Sequence, residues 1–235
     1  MATVYQHSTL AALMAGLLDA TLSLEQLLNH GDTGIGTLDG VDGEVIILAG
    51  EVYQATSDGK VHHITDLKKG VPFATVHEDQ DSVECNLTTA TFATMNELVE
   101  QHTLKNGFTS IQLHGVFEHV QVRVAPKAEK PYPSLLALAK EQPTFEADQV
   151  TGTLLGYYTP ALYDGMAASG WHVHFISDQH DFAGHVLDFS AKDLTGTFTL
   201  FENFELHLPI ENASFRKHEL DMATLSADIA QAEGN

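Results

Sequence analysis

Apolar residues fall along this chain in short runs, and their spacing predicts a series of small elements. Ser8-Thr9 precede an apolar stretch that ends at Leu18, which predicts a capped helix over residues 8–18. Ser23 to Leu28 predicts a second short helix, stopped near Gly31. Gly31 to Gly43 is rich in Gly and Asp and reads as loop. Val45–Leu48 and Glu51–Ala55 read as strands joined at Ala49-Gly50. After the turn at Ser57-Asp58-Gly59, Lys60–Ile64 and Phe73–His77 read as further strands. Ala93–Leu104 is amphipathic and predicts a helix. Gly107–Phe117 and Glu118–Val124 read as strands.

The stretch from Pro126 to Pro133 also contains Pro131, Lys127 and Lys130, and it is the best linker candidate. It divides the chain into an N-terminal α/β half, residues 1–130, and a C-terminal β-rich half, residues 131–235. Leu135–Lys140 predicts a short helix in the second half. Strands follow at Val150–Tyr158, Trp171–Ser177, Gly184–Ser190 and Gly196–Leu208, then a closing helix from His218 to about Ala232. Helices and strands mix without regular alternation. The expected class is therefore mixed α/β (α+β), with two closely packed sheet-containing halves.

At 235 residues the chain is long enough to bury a core, as one large domain or two small ones. No run approaches the roughly 20 apolar residues that span a bilayer. Leu10–Leu18 resembles the apolar part of a signal peptide, but the first permanently charged basic residue is Lys60. The expectation is a mature helix in a cytoplasmic protein. A lone cysteine, Cys85, agrees with a reducing compartment. With 32 acidic and 11 basic residues the formal charge is -21, which argues against nucleic acid and anionic membrane as partners. An anionic substrate would need local positive charge. Only Arg123 and Arg216 offer a guanidinium, and a metal ion would add to them.

The strongest chemical signal is Gly170-Trp-His-Val-His-Phe-Ile-Ser. His172 and His174 are two apart, so on a strand both rings share a face. A polar turn, Asp178-Gln-His-Asp181, separates them from the next apolar stretch. A hairpin centred between Gln179 and His180 sets Ser177 against Phe182 and His174 against His185. Opposed residues in an antiparallel pair share a face, so three imidazoles converge. Three histidines with positions left open suit a catalytic zinc on a β-hairpin of the C-terminal half, and no cysteine ligand points to a structural site. With 14 histidines in the chain, chance pairs such as His62-His63 occur, and His180 competes as third ligand from the turn.

Other polar candidates carry two readings each. Arg123, in the alternating Val-Gln-Val-Arg-Val, is either a fork for a carboxylate or oxyanion, or a surface strand residue. Glu44 is either a general acid or base at a loop end, or a solvated turn residue. Glu233 on its own reads as tail, and Cys85 as a small buried hydrophobe. Ser8 and Ser169 lack the flanks of a nucleophile elbow.

Taken together these segments resemble the acetolactate decarboxylase family over nearly the whole chain. The resemblance lies in Ser8-Thr-Leu-Ala-Ala-Leu-Met-Ala-Gly, Gly31-Asp-Thr-Gly-Ile-Gly-Thr-Leu-Asp-Gly with Asp42-Gly-Glu44, and Pro72-Phe-Ala-Thr-Val. It continues through Arg123-Val-Ala-Pro-Lys, Pro131-Tyr-Pro133 and Gly152-Thr-Leu-Leu-Gly-Tyr-Tyr-Thr-Pro160. The most specific part is the histidine segment with Gly184-His-Val-Leu-Asp. The resemblance implies a two-part homodimeric α/β protein with His172, His174 and His185 as zinc ligands. Arg123, Glu44 and Glu233 would be active-site residues, the last folded back from the tail, with Glu51 a rival for the role of Glu44. It implies conversion of 2-acetolactate, a small anion, to acetoin and carbon dioxide on the route to butanediol. Loss of carbon dioxide leaves an enediolate, which zinc and Arg123 would stabilise and a glutamate would protonate. A rival from the His-x-His pattern alone is a cupin-like metal-dependent isomerase or dioxygenase, although the usual following Glu is missing. The other rival is an acidic zinc-binding protein without catalysis.

Overall fold

The computed structural model describes residues 1–80, 82–102, 104–219 and 228. Two sheets dominate it. In chain order the elements are β1 (Thr3–His7), α1 (Leu10–Met14), β2 (Leu22–Ser23), α2 (Leu24–Leu27), β3 (Thr33–Leu38), β4 (Asp42–Leu48), β5 (Glu51–Ala55) and β6 (Val61–His63). They continue with β7 (Gly70–Val71), β8 (Phe73–His77), β9 (Val83–Ala90), α3 (Phe92–Gln101), β10 (Thr109–Arg123), α4 (Leu135–Ala139), β11 (Thr144–Thr159), β12 (Gly170–Ser177), β13 (Ala183–Leu200), β14 (Asn203–His207) and α5 (Ala213–Lys217). The result is the expected sheet-rich α+β architecture.

One sheet runs β14-β1-β8-β3-β4-β5-β6, antiparallel except for the parallel pair β1–β14. The other runs β10-β11-β12-β13-β9, and β10 also pairs with β13. That extra pairing closes four strands into a ring. A closed ring has no free edge at β10 and can be filled by side chains alone. Phe117, Phe175 and Phe189 fill it, with the Phe117 and Phe175 rings 4.8 Å apart and edge-on. The helix α3 covers this core with Met95, Leu98 and Val99.

The sheets do not divide at residue 130. Strands β9 and β10 lie before that point yet belong to the second sheet, while β14 returns from the C-terminal end to the first. The stretch expected as one strand over Gly196–Leu208 is broken at Phe201-Glu202, where the chain leaves one sheet for the other. The two strands expected from Gly107 to Val124 are one long strand, β10, whose pairing with β13 is irregular around Gly115. The closing helix expected from His218 lies, apart from its first two residues and residue 228, outside the described residues. The cap expected at Ser8-Thr9 is Thr9, whose side chain accepts from the Ala12 N–H; Ser23 and Ser134 cap α2 and α4 in the same way, accepting from the N–H groups of Gln26 and Ala137.

The expected loop at Gly31–Gly43 is overturned in its middle, because Thr33–Leu38 is the fully buried strand β3. Its glycines serve close strand approach instead of turning. A Cβ on Gly34 would collide with the Thr75 carbonyl oxygen, and one on Gly36 would lie 2.7 Å from the Ala74 Cβ. Glycine composition reads as loop, but backbone packed against backbone makes the same demand.

Gly34→Ala should therefore overpack the centre of the sheet and lower stability by about 1–3 kcal/mol in a urea titration. Gly50→Ala, at a turn with open space around it but with φ 80, serves as the comparison in which only left-handed backbone strain and no overpacking is introduced. Two buried histidines add an acid dependence. Burial lowers His7 and His77 from 6.5 to about 4, so they stay neutral in the fold while the unfolded chain takes up protons. Stability contributed by neutral burial is complete above pH 6.5 and falls as the pH drops towards 4, by about 3 kcal/mol per histidine. His77→Gln should flatten that acid limb, measured with chelator present.

Candidate metal centre

The hairpin β12–β13 places the cluster. Its register pairs His174 with His185, Phe175 with Gly184 and Ile176 with Ala183. Ser177 closes the turn: its Oγ accepts from the backbone N–H groups of Asp181 and Phe182, both at 3.1 Å. His172 lies two residues before His174 on the same strand face. Ligand atoms of His172, His174 and His185 all fall within 4.8 Å of one another. Ring centroids are 4.8 to 5.6 Å apart.

The second sheet neighbour orients the most buried ring. His174 Nδ1 donates to the Val45 carbonyl oxygen at 3.1 Å, across from β12 to β4. A carbonyl only accepts, so Nδ1 carries the hydrogen and Nε2 keeps its lone pair. That Nε2 is buried and makes no hydrogen bond. Burial, then the neighbouring His172, hold the His174 pKa well below its ordinary value, so the ring is neutral. A neutral imidazole with one nitrogen tied to a carbonyl and the other aimed at two more imidazoles has the electronic form of a metal ligand. The donor set is all nitrogen, which suits zinc and leaves coordination positions for a substrate.

Two further candidates come within reach of this cluster. Arg123 stands directly opposite His185 in the β10–β13 register, and its Nη2 donates to His185 Nε2 at 3.2 Å. Glu44 arrives from the other sheet on β4. Its Oε2 is 3.5 Å from His174 Nε2, while Oε1 accepts from the Ala125 N–H at 3.2 Å. Gly43 just before it has φ 75, a left-handed value, and its N–H donates to the Ala125 carbonyl at 3.2 Å, which sets Glu44 beside Ala125. The remaining candidates lie apart from the three rings. Glu51 sits on the surface against His63, its carboxylate 2.5 Å from the ring. His180 packs against Tyr53 with the rings tilted and their centroids 4.4 Å apart. Cys85 is buried, and burial raises its thiol pKa, as expected for an inert core residue. Glu233 lies outside the described residues.

The three histidines, Arg123 and Glu44 border a pocket that opens to solvent. Its polar lining comes from sheet strands: Thr37, Glu44, Arg123, His172, His174 and His185. Its apolar lining comes largely from the two short helices, with Leu10 and Leu13 on α1 and Leu135 and Ala139 on α4. Gln142, just beyond α4, is also on the wall. The apolar wall and Gln142 carried no signal in the sequence. An apolar helix face looks the same whether it covers a core or a pocket, and a single glutamine has no spacing to read.

Comparison with known proteins follows the same outline. The family model for alpha-acetolactate decarboxylase matches residues 4–222. The alpha-acetolactate decarboxylase of Lactococcus lactis subsp. lactis (strain IL1403) is 38% identical over 232 residues, 98% of each chain. The crystal structure of alpha-acetolactate decarboxylase from Bacillus subtilis strain 168 superposes with a TM-score of 0.94 at 33% identity, covering 99% of this chain and 100% of that one. A Staphylococcus aureus protein described as similar to alpha-acetolactate decarboxylase superposes with a TM-score of 0.94 at 34% identity, covering 98% of this chain and 99% of that one.

The geometry separates the two candidates for the third ligand. His185→Ala should weaken zinc binding in equilibrium dialysis by at least about 100-fold, whereas His180→Ala should leave it unchanged. The reverse result would move the ligand to the turn.

Proposed function

Since this chain belongs to the alpha-acetolactate decarboxylase family, we propose that it decarboxylates 2-acetolactate to acetoin, with a zinc ion held by His172, His174 and His185. The family match makes the chain a decarboxylase and removes the reasons for the cupin-like and non-catalytic readings. The observation that supports the metal is the buried His174 Nε2, which faces two imidazoles without a hydrogen bond while Nδ1 is tied to Val45. Leaving such an atom unsatisfied is costly unless something binds it.

When bound, the ion supplies Lewis-acid polarisation of the substrate's oxygens. The chain's own groups account for the rest. The carboxylate of acetolactate needs a cation in a strongly acidic protein, and Arg123 is the guanidinium on the pocket wall. It orients the carboxylate so that the bond to be broken lies across the ketone's π system. The bond to carbon dioxide breaks, its electron pair moves towards the ketone, and an enediolate results. Arg123 lowers the energy of that developing charge. Glu44, reaching in from the other sheet, is placed to deliver the proton that returns to carbon. Glu233, expected from the tail, is the second carboxylate proposed for this step. The mostly apolar wall of α1 and α4 accommodates the methyl groups and keeps water from the anion.

We retain a homodimer, cytoplasmic residence and the butanediol route as parts of this proposal. Nucleic acid and membrane are not proposed as partners. No helix among the described residues is long and apolar enough to cross a membrane.

The first experiment is acetoin and carbon dioxide release from racemic acetolactate before and after chelation. Activity should vanish with chelator and return on adding zinc; no release from folded, zinc-loaded protein would overturn the reading. Arg123→Ala should retain its zinc and lose about 100- to 1000-fold in kcat/KM. Near-normal turnover in that variant would remove the carboxylate role.

A further inference from the structure

Gln142 is the pocket residue that the reaction above leaves unused. Its side-chain carbonyl oxygen is buried and has no hydrogen-bond partner. Apart from the His174 Nε2 assigned to the metal, the other polar lining groups whose contacts are described are engaged within the protein. Thr37 Oγ1 donates to the Gly43 carbonyl at 2.7 Å, Glu44 Oε1 accepts from Ala125, and Arg123 donates to His185. A buried acceptor without a donor is destabilising, and on a pocket wall a ligand can relieve it.

The backbone pins Gln142 beside Arg123. The Val124 N–H donates to the Pro143 carbonyl at 3.2 Å, and Arg123 itself pairs with Thr144. Its neighbours towards α4, Leu135 and Ala139, are apolar and offer no donor. In this arrangement no group of the wall donates to it, and a substrate in the pocket can.

Acetolactate has one hydrogen-bond donor, the tertiary hydroxyl on C2, because its ketone and carboxylate only accept. The same C2 carries the carboxylate assigned to Arg123. A residue next to Arg123 is thus close to the hydroxyl whenever the carboxylate is gripped. We propose that Gln142 binds the substrate by accepting a hydrogen bond from this C2 hydroxyl, an inference that rests on the decarboxylase reading. The contact identifies 2-hydroxy acids among short branched carboxylates. It also holds C2 in one orientation, which a proton delivered to one face of that carbon requires.

The test uses two inert acids of nearly the same shape, 2-hydroxy-2-methylpropanoate and 2,2-dimethylpropanoate, titrated calorimetrically into zinc-loaded protein. Gln142→Met keeps the length of the side chain and removes the acceptor. It should lower the preference for the hydroxy acid about tenfold, with binding of 2,2-dimethylpropanoate unchanged. Gln142→Glu keeps an acceptor oxygen and should keep the preference, although its charge weakens both anions alike. Equal weakening of the two acids by Gln142→Met, or an unchanged preference, would overturn the assignment. If the unaltered protein releases no carbon dioxide from acetolactate, the decarboxylase reading fails, and the same pair of acids still reports whether Gln142 reads a hydroxyl.

Discussion

The hydrogen bond from His174 Nδ1 to the Val45 carbonyl joins the two sheets at the point where the chemistry is placed. It crosses from β12 in the ring of strands to β4 in the seven-stranded sheet. It fixes which nitrogen of His174 bears hydrogen, and so fixes the direction of the free lone pair. It also sets β4 at the depth where Glu44, the residue before Val45, reaches the cluster.

Several other contacts hold that alignment. Tyr157 on β11 donates through its hydroxyl to the Thr75 carbonyl on β8 and contacts His77 Nδ1 at 2.9 Å. These buried polar links are specific in direction, unlike the apolar packing of Ile35, Ile46, Leu155 and Ile176 around them. Apolar burial supplies the attraction between the sheets, and the polar links select one relative position. The ring of β10 to β13 then acts as a rigid mount. Arg123 and His185 are opposed residues of one register, so their separation is set by the strand spacing itself.

The pocket joins two kinds of surface. The strands contribute the groups that hold charge, and two five-residue helices contribute much of the apolar cover. Neither helix is long enough to be stable alone. Each is capped at its N-terminus and packed against the other through Leu10, Leu13, Leu135 and Leu138. Cover and polar floor therefore come from segments far apart in the chain, and closing the pocket requires the whole fold.

The sequence by itself determined the hairpin and its three histidines. Strand alternation has a period of two, the turn residues mark the centre, and together these fix the register without knowledge of anything else. It also determined the first short helix through its Ser8-Thr9 cap and the strands β4, β5 and β8 through their apolar runs. Tertiary structure decided what depends on the neighbour across a gap. Strand β3 was hidden because Gly34 and Gly36 are needed for backbone approach by β8, a demand that leaves only a loop-like composition. The exchange of β9, β10 and β14 across residue 130 was hidden because pairing partners are chosen by long-range packing, which local pattern does not record. Arg123 and Glu44 each allowed a bland surface reading in sequence, and only the approach of β4 and β10 to the hairpin brings them to the histidines. Gln142 became visible only as an acceptor with no donor, a property of its surroundings and not of the residue.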